Sequence, residues 1–495
     1  MAAVKIARGF FLAIVIMVTL SCNFSGFNTE TLTGGVQEEP TGVKDVGETQ
    51  SGQTEENRDQ SEELTPAQPS ESAGPAEGQG VAEPFQLVSV LPDGTPGGDR
   101  SYISSDYRSR ISADGSRVVF STRAENLVDR EQEKELNYVI KDLSTGELRT
   151  ILLPDETFDP HHNTPVMADE GGRVVFGLSV MREVEGEELY FGEVYLYDYE
   201  EDGLTWLDQF EDGQEEVYTY EPEISANGRF ITLTADGNKR ALVPEINYAL
   251  FEASKTEVFL YDTQGGHWSL ISISMEGGSG GNDDSWGPSP VTSDGRFVAF
   301  ASNASDLVGG DTNETTDVFL RDTVAGTTTL ISVSSEGVQG NSFSFPVSLS
   351  EDGRYVVFES EADNLVEGDT NGVKDVFLHD TSSGETVLVS KSSDGMVGNG
   401  PSEGLRITAD GRFVAFVSDS TNLVEEDANG YRDVFFHDLD SGETNRILAS
   451  KKPYDGTGVT ISADGTFLAF SSSSGAWIGT ETYSIEHVFR KQLTE

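Results

Sequence analysis

Residues 346–391 read "PVSLSEDGRYVVFESEADNLVEGDTNGVKDVFLHDTSSGETVLVSK". Two apolar segments flank the Asp352-Gly353 pair. Asp-Gly in that setting is the strongest short-range hairpin signal, because both residues tolerate positive φ. Residues 346–350 and 354–360 therefore read as an antiparallel pair. A long polar loop, 361–374, leads to a third strand at 375–381, and the Ser-Ser-Gly turn returns the chain in a fourth at 385–391. The centres of the second and third strands are continuously apolar, as in sheets packed on both faces. Nothing here has the length and 3.6-residue period of a helix.

The hairpin is written again elsewhere. "ISADGSRVVF" starts at Ile111, "MADEGGRVVF" at Met167, "EISANGRFIT" at Glu223, "VTSDGRFVAF" at Val291, "ITADGRFVAF" at Ile407 and "ISADGTFLAF" at Ile461. Seven copies at intervals of roughly 55 to 67 residues match the repeat scale of propellers and solenoids. Four antiparallel strands repeated seven times predict an all-β, seven-bladed β-propeller over residues 85–495. The last copy ends in "EHVFRKQLTE", a third strand with no fourth. "FQLVSVLPDG" at 85–94 looks like the fourth-strand segments "TLISVSSEG" and "SLISISMEG", so it is expected to complete the last blade and leave no sheet edge open. An eight-bladed or open array is the alternative, which this overhang disfavours.

The hairpin S-x-D-G-R-x-[VI]-x-F, followed by D-V-F-L-x-D and a glycine turn, resembles the WD40-like repeats of TolB-type propellers. The resemblance covers essentially 85–495 and is clearest in the last four copies. The second and third copies diverge, as in "GEVYLYDYEEDGLTWL" (192–207) and the insert "NKRALVPEINYALFEASK" (238–255). It implies a periplasmic or surface-exposed propeller that binds other proteins. The N-terminal domain of TolB itself has no counterpart in this sequence, so its particular partners do not carry over.

Ahead of the repeats lie two other kinds of sequence. "MAAVKIARGFFLAIVIMVTLSC" carries Lys5 and Arg8, then an apolar run at 10–20 that is short for a bilayer-spanning helix and suits an export signal. The sole cysteine, Cys22, follows at once, an arrangement that resembles a bacterial lipoprotein signal (1–21) with Cys22 as the lipidated residue. Thr19 and Leu20 depart from the commonest Leu-Ala-Gly form of that motif. Residues 22–84 read as a disordered acidic tether. Its part from 28 to 84 has 13 acidic and 2 basic residues and almost no large apolar ones, so it buries too little surface to offset its ordering entropy. The expected address is extracytoplasmic, anchored to a membrane by lipid, periplasmic or cell-surface.

The whole chain has 86 acidic and 32 basic residues, a formal charge of -54. Such a surface repels nucleic acid and anionic membranes, which need a basic footprint. One cysteine leaves no disulfide to consider.

Alternating strand directions put all first-to-second and third-to-fourth turns on one rim. These are tight "DG" and "SG" turns. The long second-to-third loops and the connections between blades share the other rim, where binding is expected on a rigid scaffold. That rim carries a thrice-repeated Asp-x-Asn-x-x-x-Asp: Asp311, Asn313 and Asp317; Asp369, Asn371 and Asp375; Asp427, Asn429 and Asp433. Spaced acids and amides can hold calcium, yet the third acidic ligand of full calcium loops is missing. Asp and Asn also form local turns and cap strand entries, and that bracing role is the favoured reading; no cofactor is required, with calcium as the alternative. "GGSGG" at 277–281 mimics a hydrolase nucleophile elbow but has no following helix. His161 and His162 are adjacent and lack further ligands for zinc.

No catalytic constellation is recognisable, so the expectation is a binding or scaffold protein, not an enzyme. Its long-loop rim would dock a protein or a glycan. The rivals are a calcium-stabilised module of the envelope and a glycan-active enzyme.

Overall fold

The computed structural model describes residues 85–104, 108, 110–128, 136–154, 157–159, 164–184, 187–208, 219–236, 255–427, 429–450, 458–474 and 485–493. The expected signal, Cys22, the expected tether, His161, His162 and most of the insert after Asp236 lie outside them. Contacts divide the chain into Met1–Gly78 and Gln79–Glu495, and everything described belongs to the second unit. Among the described residues the only helical element is a single 3-10 turn, Glu125–Leu127, and no helix is long and apolar enough to cross a membrane.

The second unit is a seven-bladed β-propeller of antiparallel sheets. In blade five, Ser344–Leu349, Tyr355–Ser360, Asp375–Asp380 and Glu385–Leu388 pair in chain order. The fourth strand is shorter than the sequence pattern, because Ser390 turns inward to receive the Val376 N–H on its hydroxyl. Blade two departs most. Its first strand is split into Thr157–Asp159 and Val166–Met167, and its second and third strands are lengthened to Arg173–Val184 and Glu187–Asp198.

Blade seven is assembled from both ends of the unit. Val459–Ile461, Phe467–Ser472 and His487–Gln492 are joined by Phe85–Leu87, with Phe85 opposite Lys491 and Leu87 opposite Phe489. Val88 extends the pairing, its N–H donating to Val488 O at 2.8 Å.

Seven apolar clusters lie one at each junction between neighbouring blades. Val357, Val376 and Leu378 meet Ile407, Val414 and Phe416 between blades five and six. Val88, Val118 and Phe120 meet Ala469 and Val488 between blades one and seven, which closes the circle. Both faces of each inner sheet are thus buried, which explains why the strand centres read as unbroken apolar runs. Phe358 and Phe377, opposite each other on neighbouring strands, stack at 5.6 Å, and Phe300–Phe319, Phe416–Phe435 and Phe470–Phe489 repeat the arrangement.

The repeated hairpin residues each have a physical task. Ser350 donates to the Asp352 carboxylate at 2.6 Å and shapes the turn. Gly353 has φ +70°, and a Cβ there would stand 2.2 Å from the Phe297 ring of the preceding blade. Arg354 then pairs with Asp380 at 2.7 Å, at the far end of the third strand. Arg229–Asp262, Arg296–Asp322 and Arg412–Asp438 do the same, so charge pairs brace the short-turn rim.

Candidate functional site

The Asp-x-Asn-x-x-x-Asp segments sit on the long-loop rim, and the last Asp of each opens a third strand. In every blade this position is buried: Asn137, Glu193, Glu257, Asp317, Asp375, Asp433 and His487 form one ring of equivalent residues. In four blades a serine two residues beyond the fourth strand meets it. Ser390 Oγ donates to Asp375 Oδ1 at 2.6 Å, Ser332 Oγ to Asp317 Oδ1 at 2.5 Å, and Ser272 Oγ to Glu257. Ser89 Oγ lies 3.2 Å from His487 Nδ1 in blade seven. Each hydroxyl also accepts the next residue's N–H, as from Val258, Val318 and Val488. The motif search could see three members of this ring. The others differ in residue type and would emerge only from aligning whole third strands, since the position of Phe377 is Val139 in blade one and Tyr195 in blade two.

The asparagines brace the loops. Asn371 Nδ2 donates to Asp375 Oδ2 and to Gly398 O at 3.0 Å, while its Oδ1 accepts the Val373 N–H. Asn429 Nδ2 reaches both oxygens of Asp433 and Ser450 O, and Asn313 Nδ2 reaches Gly340 O. Burial pushes the Asp317 and Asp375 carboxyls up to about 6, each with added repulsion from the first Asp of its own segment. Burial raises Asp311, Asp369 and Asp427 as well, and drives Glu257 far above the carboxylate range. No group of three or more His, Cys, Asp or Glu that could hold a metal ion is found among the described residues; the acidic loops supply carboxylates in pairs.

Two further charge clusters escaped the sequence reading. Lys374 lies between Glu359 at 2.9 Å and Glu403 at 3.0 Å, and Arg432 joins Glu403 to Asp419, tying blade five to blade six. Across the ring, Arg406 of blade six pairs with Asp169 of blade two, and Arg108 lies 3.6 Å from Glu223 of blade three. Non-adjacent blades can meet only through the axis, so acids and bases converge there.

The glycine-rich 277–281 is a connection between blades three and four. Gly277 and Gly278 take positive φ, and Ser279 faces the Ser274 hydroxyl. On the same rim a cleft of about 440 Å³ opens between the connection after blade four and the second-to-third loop of blade five. Ser335, Glu336, Asp363, Asn364 and Glu367 line it.

No family model matches the chain, and no curated protein matches it either. Solved structures do. An oligogalacturonate lyase in complex with manganese aligns over 81% of this chain and 92% of its own at 12% identity and a TM-score of 0.47. The acylaminoacyl peptidase of Pyrococcus horikoshii aligns over 80% of this chain and 53% of its own at 13% identity and a TM-score of 0.44. A putative TolB from Agrobacterium tumefaciens aligns over 70% of this chain and 95% of its own at 15% identity and a TM-score of 0.35. The expectation that the chain is not an enzyme is corrected by this set, since the lyase and the peptidase are enzymes by name. The physical reason is that a propeller gathers its axial side chains from blades far apart in sequence, so a missing local motif says nothing about catalysis. The chain shares its propeller fold with enzymes and with a TolB-like protein.

Proposed function

We propose that this is an exported binding protein, lipid-anchored through Cys22, that docks a protein surface or a glycan on its long-loop rim. One observation carries the docking reading. Large apolar side chains are exposed at Leu152, Met275, Val338, Phe343, Met396 and Val324 among the described residues. All but Val324 lie in connections from one blade to the next, on the long-loop rim. Exposed apolar side chains that recur on one rim favour that rim as the interaction surface. The acidic lining of the adjacent cleft favours a partner with basic groups beside apolar ones.

The test is a crosslinked pull-down from envelope extracts with the full chain as bait, run beside Val338→Glu/Met396→Glu and Val324→Glu. A specific partner should be lost with the double variant and kept with Val324→Glu. A partner indifferent to the double variant removes the rim from the proposal. Cys22→Ser should move the protein from the membrane to the soluble fraction, and unchanged fractionation would sink the lipid anchor.

A further inference from the structure

Blade six shows what the repeated acidic segment demands. Its two carboxylates are buried together, and Arg446 lies against both: Nη1 is 3.1 Å from Asp427 Oδ1 and 2.9 Å from Asp433 Oδ2. Arg446 stands opposite Phe435 on the neighbouring strand. The residue opposite the equivalent phenylalanine is Leu330 in blade four and Leu388 in blade five, so that position carries no cation in either blade. Among the described residues no ion pair reaches Asp311, Asp317, Asp369 or Asp375, although Asp317 is fully buried and Asp369 is 6% exposed. Each of the three segments keeps a buried oxygen with no hydrogen bond of ordinary geometry: Asp317 Oδ2 in blade four, Asp369 Oδ1 in blade five and Asp427 Oδ1 in blade six, but only the last has a guanidinium beside it, 3.1 Å away. The neighbouring amides relieve the pairs only in part, and none carries a charge. Asn313 serves Gly340 O and the Asp317 carboxylate, Gln339 Nε2 donates to Asp311 Oδ1 at 3.1 Å, and Asn371 donates to Asp375 Oδ2 and Gly398 O.

A buried, uncompensated carboxylate is costly, and two of them together more so. Three copies of one segment face one electrostatic problem, and blade six answers it with an internal guanidinium. We propose that blades four and five answer it with a calcium ion each, held between Asp311 and Asp317 in one and between Asp369 and Asp375 in the other. Hard carboxylate oxygens suit a hard divalent ion. Calcium accepts irregular coordination completed by loop carbonyls and water, whereas magnesium demands near-octahedral geometry. This site is independent of any partner on the rim.

The experiment counts saturable calcium sites on the full chain by calorimetry after chelator treatment. The wild type should bind two ions. Asp369→Asn should bind one, and Asp311→Asn/Asp369→Asn none, with circular dichroism reporting that each variant keeps its sheet signal. Arg446→Leu, which gives blade six the residue type of its neighbours, should bind a third ion; if this variant folds only when calcium is added, that supports the proposal equally. Absence of saturable binding to the wild type at millimolar calcium overturns it. So does a stoichiometry that the aspartate variants leave unchanged, because the ions would then sit elsewhere on this acidic chain. A folded Arg446→Leu protein without a third ion overturns the equivalence of the three segments.

Discussion

Arg406 on the first strand of blade six donates from Nη1 to Asp169 Oδ1 of blade two at 2.7 Å, although 237 residues separate them. Asp169 is buried, and Glu223 and Glu351 add to the negative field around Arg406. Removing one partner of a buried pair leaves the other charge uncompensated, at a cost of about 3 kcal/mol or more. Arg406→Met should therefore lower the unfolding free energy by about that amount in urea titrations, with Asp169, Glu223 and Glu351 left to repel one another. Arg406→Met/Asp169→Leu should recover part of the loss. A single variant as stable as wild type would show that the axial pair is idle.

Gly353 and Gly384 test how tightly the two turns of one blade are packed. Both have positive φ, at +70° and +77°. A Cβ at Gly384 meets open space, while at Gly353 it meets Phe297 of the preceding blade. Gly384→Ala should cost about 1 kcal/mol from backbone conformation alone. Gly353→Ala should cost a further 1 to 3 kcal/mol, the range for forcing extra volume into a packed site. Equal losses in denaturant titrations would mean that the blade shifts to accommodate the methyl group.

The propeller was legible because each blade repeats the same local chemistry. A Ser-x-Asp-Gly hairpin and an apolar strand pair carry their own periodicity, so Gly353 and Phe358 announce their places without any partner. The rim aspartates were legible for the same reason. What escaped was anything requiring two blades at once. Arg446 cannot be seen to serve Asp427 until the fourth strand is laid beside the third. Glu257 and His487 belong to the same ring as Asp375, yet no residue-type motif joins a glutamate, a histidine and an aspartate. The axial ion pairs are harder still, because blade two and blade six touch only after the ring has closed.

The N-terminal strand should matter far more than its length suggests. Val88 is fully buried in the cluster between blades one and seven, and Phe85 and Leu87 pack on the cluster between blades six and seven. Deleting residues 85–90 exposes the edge at His487–Gln492 and strips two junctions of their closing side chains. Burial of side chains this size is worth about 1.5–3 kcal/mol each, so the loss should reach several kcal/mol and lower the melting temperature of the whole ring. Deleting 28–80 should leave melting unchanged. Matching calorimetric transitions for the intact and strand-deleted proteins would refute this closure energetics.

The acid pairs impose a pH dependence whose sign follows from their raised pKa values. Asp375 sits at about 6 in the fold, above the roughly 3.9 of an unfolded aspartate. Between those values the native state holds the proton more strongly, so this group's contribution is fully present below about pH 4 and is lost as pH rises through 6. Asp317 behaves alike. His379, His437 and His487 have lowered pKa values through burial, which makes stability rise with pH over much of the same window and masks the effect in the wild-type curve. A difference curve isolates it. In chelator, Asp375→Asn carries a constant offset from its altered contacts with Asn371 and Ser390, and cannot titrate. Relative to wild type it should gain on the order of 2 kcal/mol between pH 4 and pH 6.5, because only the wild type loses the proton-linked term. Saturating calcium should flatten that gain, since the ion supplies the wild-type pair with the charge it otherwise lacks. A difference curve without slope in chelator would mean that Asp375 titrates normally in the fold, and the electrostatic demand ascribed to the repeated segment would fall with it.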